Sequence, residues 1–260
     1  MTKWLLRSMT ELSSRKWISR ITGKFAQSAA SRRFITRFAA AYGIKAEEAE
    51  KPLHDYKTLN EFFTRRLKPG LRLVDEGADS LVSPVDALVT GAGWISGGTI
   101  LNVKGQDYTI DELLGRSPRT ANYMNGFYLV LYLSPTDYHR IHTPVAGRIV
   151  EREHIAGKVY PVNDFGLRHM RRVLSRNERL ITYMQNEHGE TAVVKVGAMN
   201  VSSIQYVQPL QNEMAKGDEL AYFEFGSTVV LLMEDGTFTP RGDIMPGVKV
   251  RMGELLGFQH

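Results

Sequence analysis

Apolar residues recur at two different spacings along this 260-residue chain, and the change from one to the other near residue 80 divides it. Trp17, Ile21 and Phe25 lie four apart, as do Phe34, Phe38 and Tyr42, with Arg20, Lys24, Arg32, Arg33 and Arg37 between them. That spacing sets side chains on one side of a helix. The helical pattern runs from residue 1 to about 68, with a break near Gly43 and an end at Pro69-Gly70. Within it, Thr58-Leu59-Asn60-Glu61 predicts a helix start, with Thr58 as cap and Glu61 reaching back. Beyond residue 80, short runs of Val, Ile, Leu and Tyr alternate with glycine turns and predict strands at 87–90, 127–133, 148–152, 191–196 and 228–233. A short helix is expected at 109–114, where Asp111 and Glu112 suit a first turn. The expected fold is α+β, a β-rich barrel or sandwich core over 69–260 with an α-helical N-terminal extension over 1–68.

Charge changes the picture of that extension. The chain has a net charge of +5, yet its first 45 residues hold ten Lys and Arg against one acid, Glu11, so the remainder is net negative. A uniformly basic protein would suggest nucleic acid. A basic arm on an acidic body suggests an anionic surface met at one end, and no nucleic acid. A basic helix with Trp and Phe on its other face suits a membrane interface; the plainer reading is a helix packed on its own domain. No stretch approaches the roughly 18 to 20 apolar residues that span a bilayer. The absence of cysteine excludes disulfides, thiolate metal sites and cysteine nucleophiles.

Three segments combine reactive side chains with turn residues: SPVDA (83–87) with Asp86, LSPTDYHRIHTP (133–144) with His139 and His142, and FEFGSTVVLL (223–232) with Ser227 after Gly226. Singly, each has a plain explanation: a turn aspartate, a solvated histidine pair, a β-bulge at the glycine. Together they supply an acid, a base and a hydroxyl, the inventory for activating a serine. Ser227 lacks the G-x-S-x-G setting of a hydrolase elbow. A serine directly after glycine is instead placed to attack the carbonyl before it. Asp137, His139 and His142 could also supply metal ligands, with His154, Asp164 and His169 downstream. The H-E-x-x-H spacing is missing, however, and no metal is expected.

The order S-P-V-D, then Y-H-R-x-H-x-P, then G-S-T resembles the membrane-associated phosphatidylserine decarboxylases. The segments NEFFTRRLKPG (60–70), VKGQDYTIDELLG (103–115), YPVN (160–163), SRNER (175–179) and VGAMNVSSI (196–204) extend the likeness over nearly the whole chain. The resemblance implies that Asp86, His142 and Ser227 form a self-cleaving triad, with His142 as base and Asp86 orienting it. Cleavage between Gly226 and Ser227 would yield a large chain, 1–226, and a small chain, 227–260. Ser227 would become a pyruvoyl group, the covalent cofactor, which forms a Schiff base with phosphatidylserine and serves as electron sink for loss of CO₂, leaving phosphatidylethanolamine. His139 is implied in proton or substrate handling, and Asn163 in the substrate pocket. Phe225 departs from the leucine or glycine that many members carry before G-S-T. The family also implies a homodimer of the two-chain unit, peripheral on the cytoplasmic face of the cell membrane and drawn to anionic lipid through the basic arm. A serine hydrolase using the same three residues, or a membrane-docking protein without activity, are the rival readings; either would leave the chain uncut.

Overall fold

The computed structural model describes residues 23–103, 106–160, 162, 170, 172–198, 204–224 and 227–260, apart from the side chains of 100–103 and 227. Trp17, Arg20, Ile21, Asn163, Asp164, His169, Phe225 and Gly226 lie outside them. The described helices are α1 (Ile35–Tyr42), α2 (Leu59–Phe63), α3 (Ile110–Leu113) and α4 (Val173–Arg176), with short 3₁₀ turns between. The strands are β1 (Ser80–Val82), β2 (Ala87–Trp94), β3 (Thr99–Val103), β4 (Gln106–Thr109), β5 (Phe127–Leu133), β6 (Arg140–His142), β7 (Gly147–Ile155) and β8 (Arg179–Asn186). They continue as β9 (Gly189–Val196), β10 (Ile204–Tyr206), β11 (Glu213–Met214), β12 (Glu219–Phe223), β13 (Ser227–Met233), β14 (Phe238–Pro240), β15 (Lys249–Val250) and β16 (Leu255–Gln259).

An antiparallel sheet of eight strands, ordered β11-β7-β8-β9-β13-β5-β2-β15, forms the centre. It is open, bounded by two-residue edge strands, so the fold is α+β with no closed barrel. Its inner strands are apolar on both faces, which is why β5 and β13 read as unbroken hydrophobic runs. Leu129, Leu131, Val229 and Leu231 face one core, while Val130, Val230 and Leu232 face the other, as the two-residue period requires. The first core is closed by two three-stranded sheets, β1-β16-β14 and β10-β12-β6. The second is closed by α3, α4 and the β3–β4 hairpin. Arg179 locks that layer: buried, it donates to the carbonyls of Leu113, Glu112, Ser175 and Asn177, and burial pulls it down to about 10.

The helical region differs from its pattern in two places. The buried stripe of α1 is Ile35 and Ala39, packed with Ile44, Tyr56, Leu59 and Phe62, while Phe25 and Tyr42 remain exposed. The helix therefore packs on the segments that follow it within the helical region and still presents aromatics outward. Gly43 caps it at φ +64°, as the break predicted. Thr58 does cap α2, accepting from the Glu61 N–H at 3.0 Å, and Glu61 reaches back to the Lys57 N–H at 2.7 Å. But α2 stops at Phe63 rather than at Pro69-Gly70. Beyond it the backbone turns to pair with residues 48–50, through Glu50 N–H to Arg66 O and Lys68 N–H to Glu48 O, so its polar groups find partners outside a helix.

Candidate active site

The three reactive segments converge on one end of three adjoining strands. Asp86 precedes β2, the histidine segment follows β5, and β13 begins at Ser227, whose backbone pairs with Leu133 at the end of β5. The Gly226 neighbourhood that reads as an interrupted strand is a change of sheet: β12 belongs to the small sheet and β13 to the large one. The histidine segment joins them. The His142 N–H donates to Pro84 O at 2.8 Å, and the Phe223 N–H donates to His139 O at 3.0 Å.

His142 is buried and both ring nitrogens are engaged. Nδ1 lies 2.7 Å from Gly217 O, which can only accept, so Nδ1 carries the proton and Nε2 accepts from the Tyr138 hydroxyl at 3.1 Å. Gly217 sits at φ +87°, where a Cβ would also strike Val74 at 2.7 Å, so glycine permits the turn that aims this carbonyl. Burial lowers the pKa of His142; the Gly217 carbonyl and the Glu219 carboxylate work the other way. The ring is thus biased to the neutral form a base needs.

Asp86 does not bond to His142 directly. Its carboxylate takes both oxygens to Arg72, with Nε at 2.8 and 3.0 Å, and accepts the Met252 N–H at 2.9 Å. Arg72 also reaches Glu48 at 3.1 Å. Burial opposes the charge on Arg72, but the two carboxylates outweigh it and raise its pKa. Asp86 contributes to His142 through its field rather than through a hydrogen bond.

His139 is fully buried, its ring centred 4.0 Å from that of Phe63 and tilted 41° to it, with Nδ1 2.8 Å from Asp137 O. Burial pulls it down to about 3, against the pull of that carbonyl. Its Nε2 and the Thr228 hydroxyl, next in sequence to Ser227, are buried without a hydrogen-bond partner among the described residues. The first is a lone pair that can accept a hydrogen bond, and the second is a hydroxyl that can donate one. Ser134, Tyr138 and Asp86 face a cleft of about 580 Å³ that also includes Arg65, Arg72 and Lys249, within the usual size of small-molecule sites. Among the described residues no group of three or more His, Asp or Glu is placed to hold a metal. The sequence reading missed Tyr138, Arg72 and Gly217. The first two lie in or beside quoted segments, but only the folded chain brings them to the site.

The model of the phosphatidylserine decarboxylase family matches residues 59–258. The chain belongs to that family. It is 45% identical over 258 residues to a phosphatidylserine decarboxylase proenzyme of Anoxybacillus flavithermus, covering 99% of this chain and 97% of that protein. It is 44% identical to the proenzyme of Geobacillus kaustophilus, with the same coverage. It is 45% identical over 259 residues to that of Halalkalibacterium halodurans, covering 99% and 98%. The family match takes in Asp86, His139, His142 and Ser227, and its start at Leu59 leaves most of the helical region outside.

Proposed function

We propose that this chain is a precursor that cuts itself between Gly226 and Ser227 and then decarboxylates phosphatidylserine to phosphatidylethanolamine. The observation that carries the reading is the meeting of Asp86, the histidine segment and the start of β13 at one end of the central sheet. Ser227 attacks the Gly226 carbonyl, the peptide shifts to an ester, β-elimination frees the Gly226 carboxylate and leaves a dehydroalanine, and water hydrolyses its imine tautomer to ammonia and a ketone on the new N-terminus. His142 takes the serine proton at Nε2, the nitrogen that now receives the Tyr138 hydroxyl. Arg72 fixes the Asp86 carboxylate in place, and Asp86 favours the charged imidazole as the proton arrives.

The pyruvoyl group, once formed from Ser227, supplies a carbonyl that condenses with the head-group amine and takes up the electrons released with CO₂. The Thr228 hydroxyl, next in sequence to Ser227 and without a partner among the described residues, can donate to such a carbonyl. With its pKa near 3, His139 accepts hydrogen bonds rather than storing a proton, so it suits holding the substrate amine. Phe63 packs on its ring and fixes its plane. Glu224, two residues before the scissile bond, accepts from Gln27 at 3.1 Å and from Asn60 at 3.3 Å. The helical region that carries the basic arm is thereby tied to the cleavage segment. In this reading that arm rests on anionic lipid at the cytoplasmic face, and the large and small chains stay packed, paired as a homodimer.

Intact-mass spectrometry under denaturing conditions tests the reading. The parent protein is expected to give two masses, 1–226 and a pyruvoyl-started 227–260, and Ser227→Ala a single uncut chain without decarboxylase activity. An uncut parent chain that is active would overturn self-cleavage and favour a serine hydrolase.

A further inference from the structure

Four arginines lie in or near the cleft and the histidine segment, and three are held by carboxylates. Arg66 takes both oxygens of Glu219, Arg140 binds the same carboxylate at 2.9 Å, and Arg72 holds Asp86 and Glu48. Arg65 differs. It is 5% exposed, lines the same cleft as Asp86 and Tyr138, and forms no ion pair with a described residue. Its Nη1 and Nη2 reach the carbonyls of Phe62 and Thr136 only at 3.5 Å, beyond the usual 2.9–3.0 Å, and its Nε has no partner among the described residues. The Phe62 ring lies 5.1 Å from its guanidinium carbon, and the Glu48 and Asp86 carboxylates, both held by Arg72, act on it through their field without a hydrogen bond.

A guanidinium has five N–H donors, and burying them unpaired is costly. Such a group is kept where an anion arrives to complete it. We propose that Arg65 receives the phosphodiester of the lipid head group, an assignment that rests on the decarboxylase reading of this cleft. The substrate has two anions, and the reaction distinguishes them. A cation on the carboxylate would stabilise the ground state more than the transition state, because that charge leaves as CO₂ and its electrons move to the carbonyl sink. A cation on the phosphodiester keeps its partner throughout, so it anchors the head group without slowing the chemistry. Arginine matches phosphate oxygens in pairs, as lysine cannot. Arg65 is in this sense a binding residue, and its loss acts on affinity rather than on turnover.

The test uses the full chain with two probes, sn-glycero-3-phosphoethanolamine, which has the phosphodiester without the carboxylate, and O-methylserine, which has the carboxylate without the phosphodiester. Binding is followed by calorimetry for the parent, Arg65→Met, Arg65→Gln and Arg65→Lys. Met and Gln are expected to weaken the phosphodiester probe at least tenfold, the loss of one charge-assisted bond, and to leave O-methylserine within twofold. Lys is expected to recover part of the loss. The melting temperature of Arg65→Met should equal or exceed that of the parent, because an unpaired buried charge has gone. Unchanged phosphodiester binding in both neutral variants, no binding by the parent, or parallel loss of both probes would each overturn the assignment. The decarboxylase reading fails separately, if the parent releases no CO₂ from dispersed phosphatidylserine.

Discussion

Two buried polar clusters, one on a face of the central sheet and one at the end of its strands, are built on different terms. On the face closed by α3 and α4, Glu190 is 2% exposed and saturated: Arg119 and the Tyr123 hydroxyl bind its two oxygens, and Asn122 adds a third contact. Arg119 also reaches Glu151 at 2.6 Å and lies over the Tyr183 ring. At the reactive end of the strands, Asp86 and Glu219 are equally well paired, but Arg65 and His139 keep polar atoms without a partner among the described residues. A saturated cluster returns its desolvation cost within the fold. One left open returns it only when a ligand enters. The first kind serves the architecture, and the second, where it falls among the reactive segments, is open to a ligand; the Tyr183 hydroxyl beside Arg119 is likewise without a partner among the described residues, so an orphaned group alone does not mark a site.

The sharpest way to break this comparison is to damage the saturated cluster. Glu190→Ala orphans the Tyr123 hydroxyl and strips Arg119 of one of its two carboxylates, and should lower stability by about 2–3 kcal/mol. Chain cleavage and the KM of the folded fraction should stay at parent values. Urea melts beside mass spectra check both, and a maturation defect without destabilisation would show that the clusters are not separate in role.

Acid should act on the open cluster instead. Burial holds His139 near 3, below the ordinary 6.5, so between those values the unfolded chain binds a proton that the folded chain refuses. The stability is complete above about pH 6.5 and declines as pH falls toward 3. The slope from this one group is up to about 1.4 kcal/mol per pH unit, and His142, also lowered by burial, adds to it. Denaturant midpoints at pH 7.5, 6 and 5 should show the decline, with a shallower slope in His139→Gln. Equal slopes would mean that other groups control the acid limb.

The smallest effect lies away from both clusters. Thr58→Ala removes the cap of α2, the helix that delivers Phe63 to His139 and Asn60 to Glu224, at about 1 kcal/mol. If α2 positions the cleavage segment, maturation slows along with the loss of stability. Normal maturation would reduce the cap to a local device.

The strands were legible because the inner strands of this antiparallel sheet are buried on both faces: 127–133 and 228–233 read as nearly continuous hydrophobic runs, and 191–196 does so except for Thr191 and a buried Lys195 that donates to the Thr182 hydroxyl. The cap at Thr58, the break at Gly43 and the short helix after Thr109 were legible for an equally local reason, since each depends on partners within four residues. The extent of α2 was not. Its early end depends on pairing with residues 48–50, which no pattern in 59–70 announces.

The chemistry divides in the same way. The residue types and their order determined the family likeness, the candidate acid, bases and nucleophile, and the lack of thiol chemistry, because these are properties of the covalent chain. Only the tertiary structure decided that Arg72 rather than His142 holds the Asp86 carboxylate, that Tyr138 and Gly217 engage the His142 ring, and that Arg65 alone of four neighbouring arginines lacks a carboxylate among the described residues. Each of these is a matter of which polar group, among several of the right kind, reaches a buried partner first. That competition is settled across 14 residues of sequence for Arg72 and Asp86, and across 75 for His142 and Gly217. Hydrogen-bond geometry and desolvation act only once the sheets have brought those segments into contact.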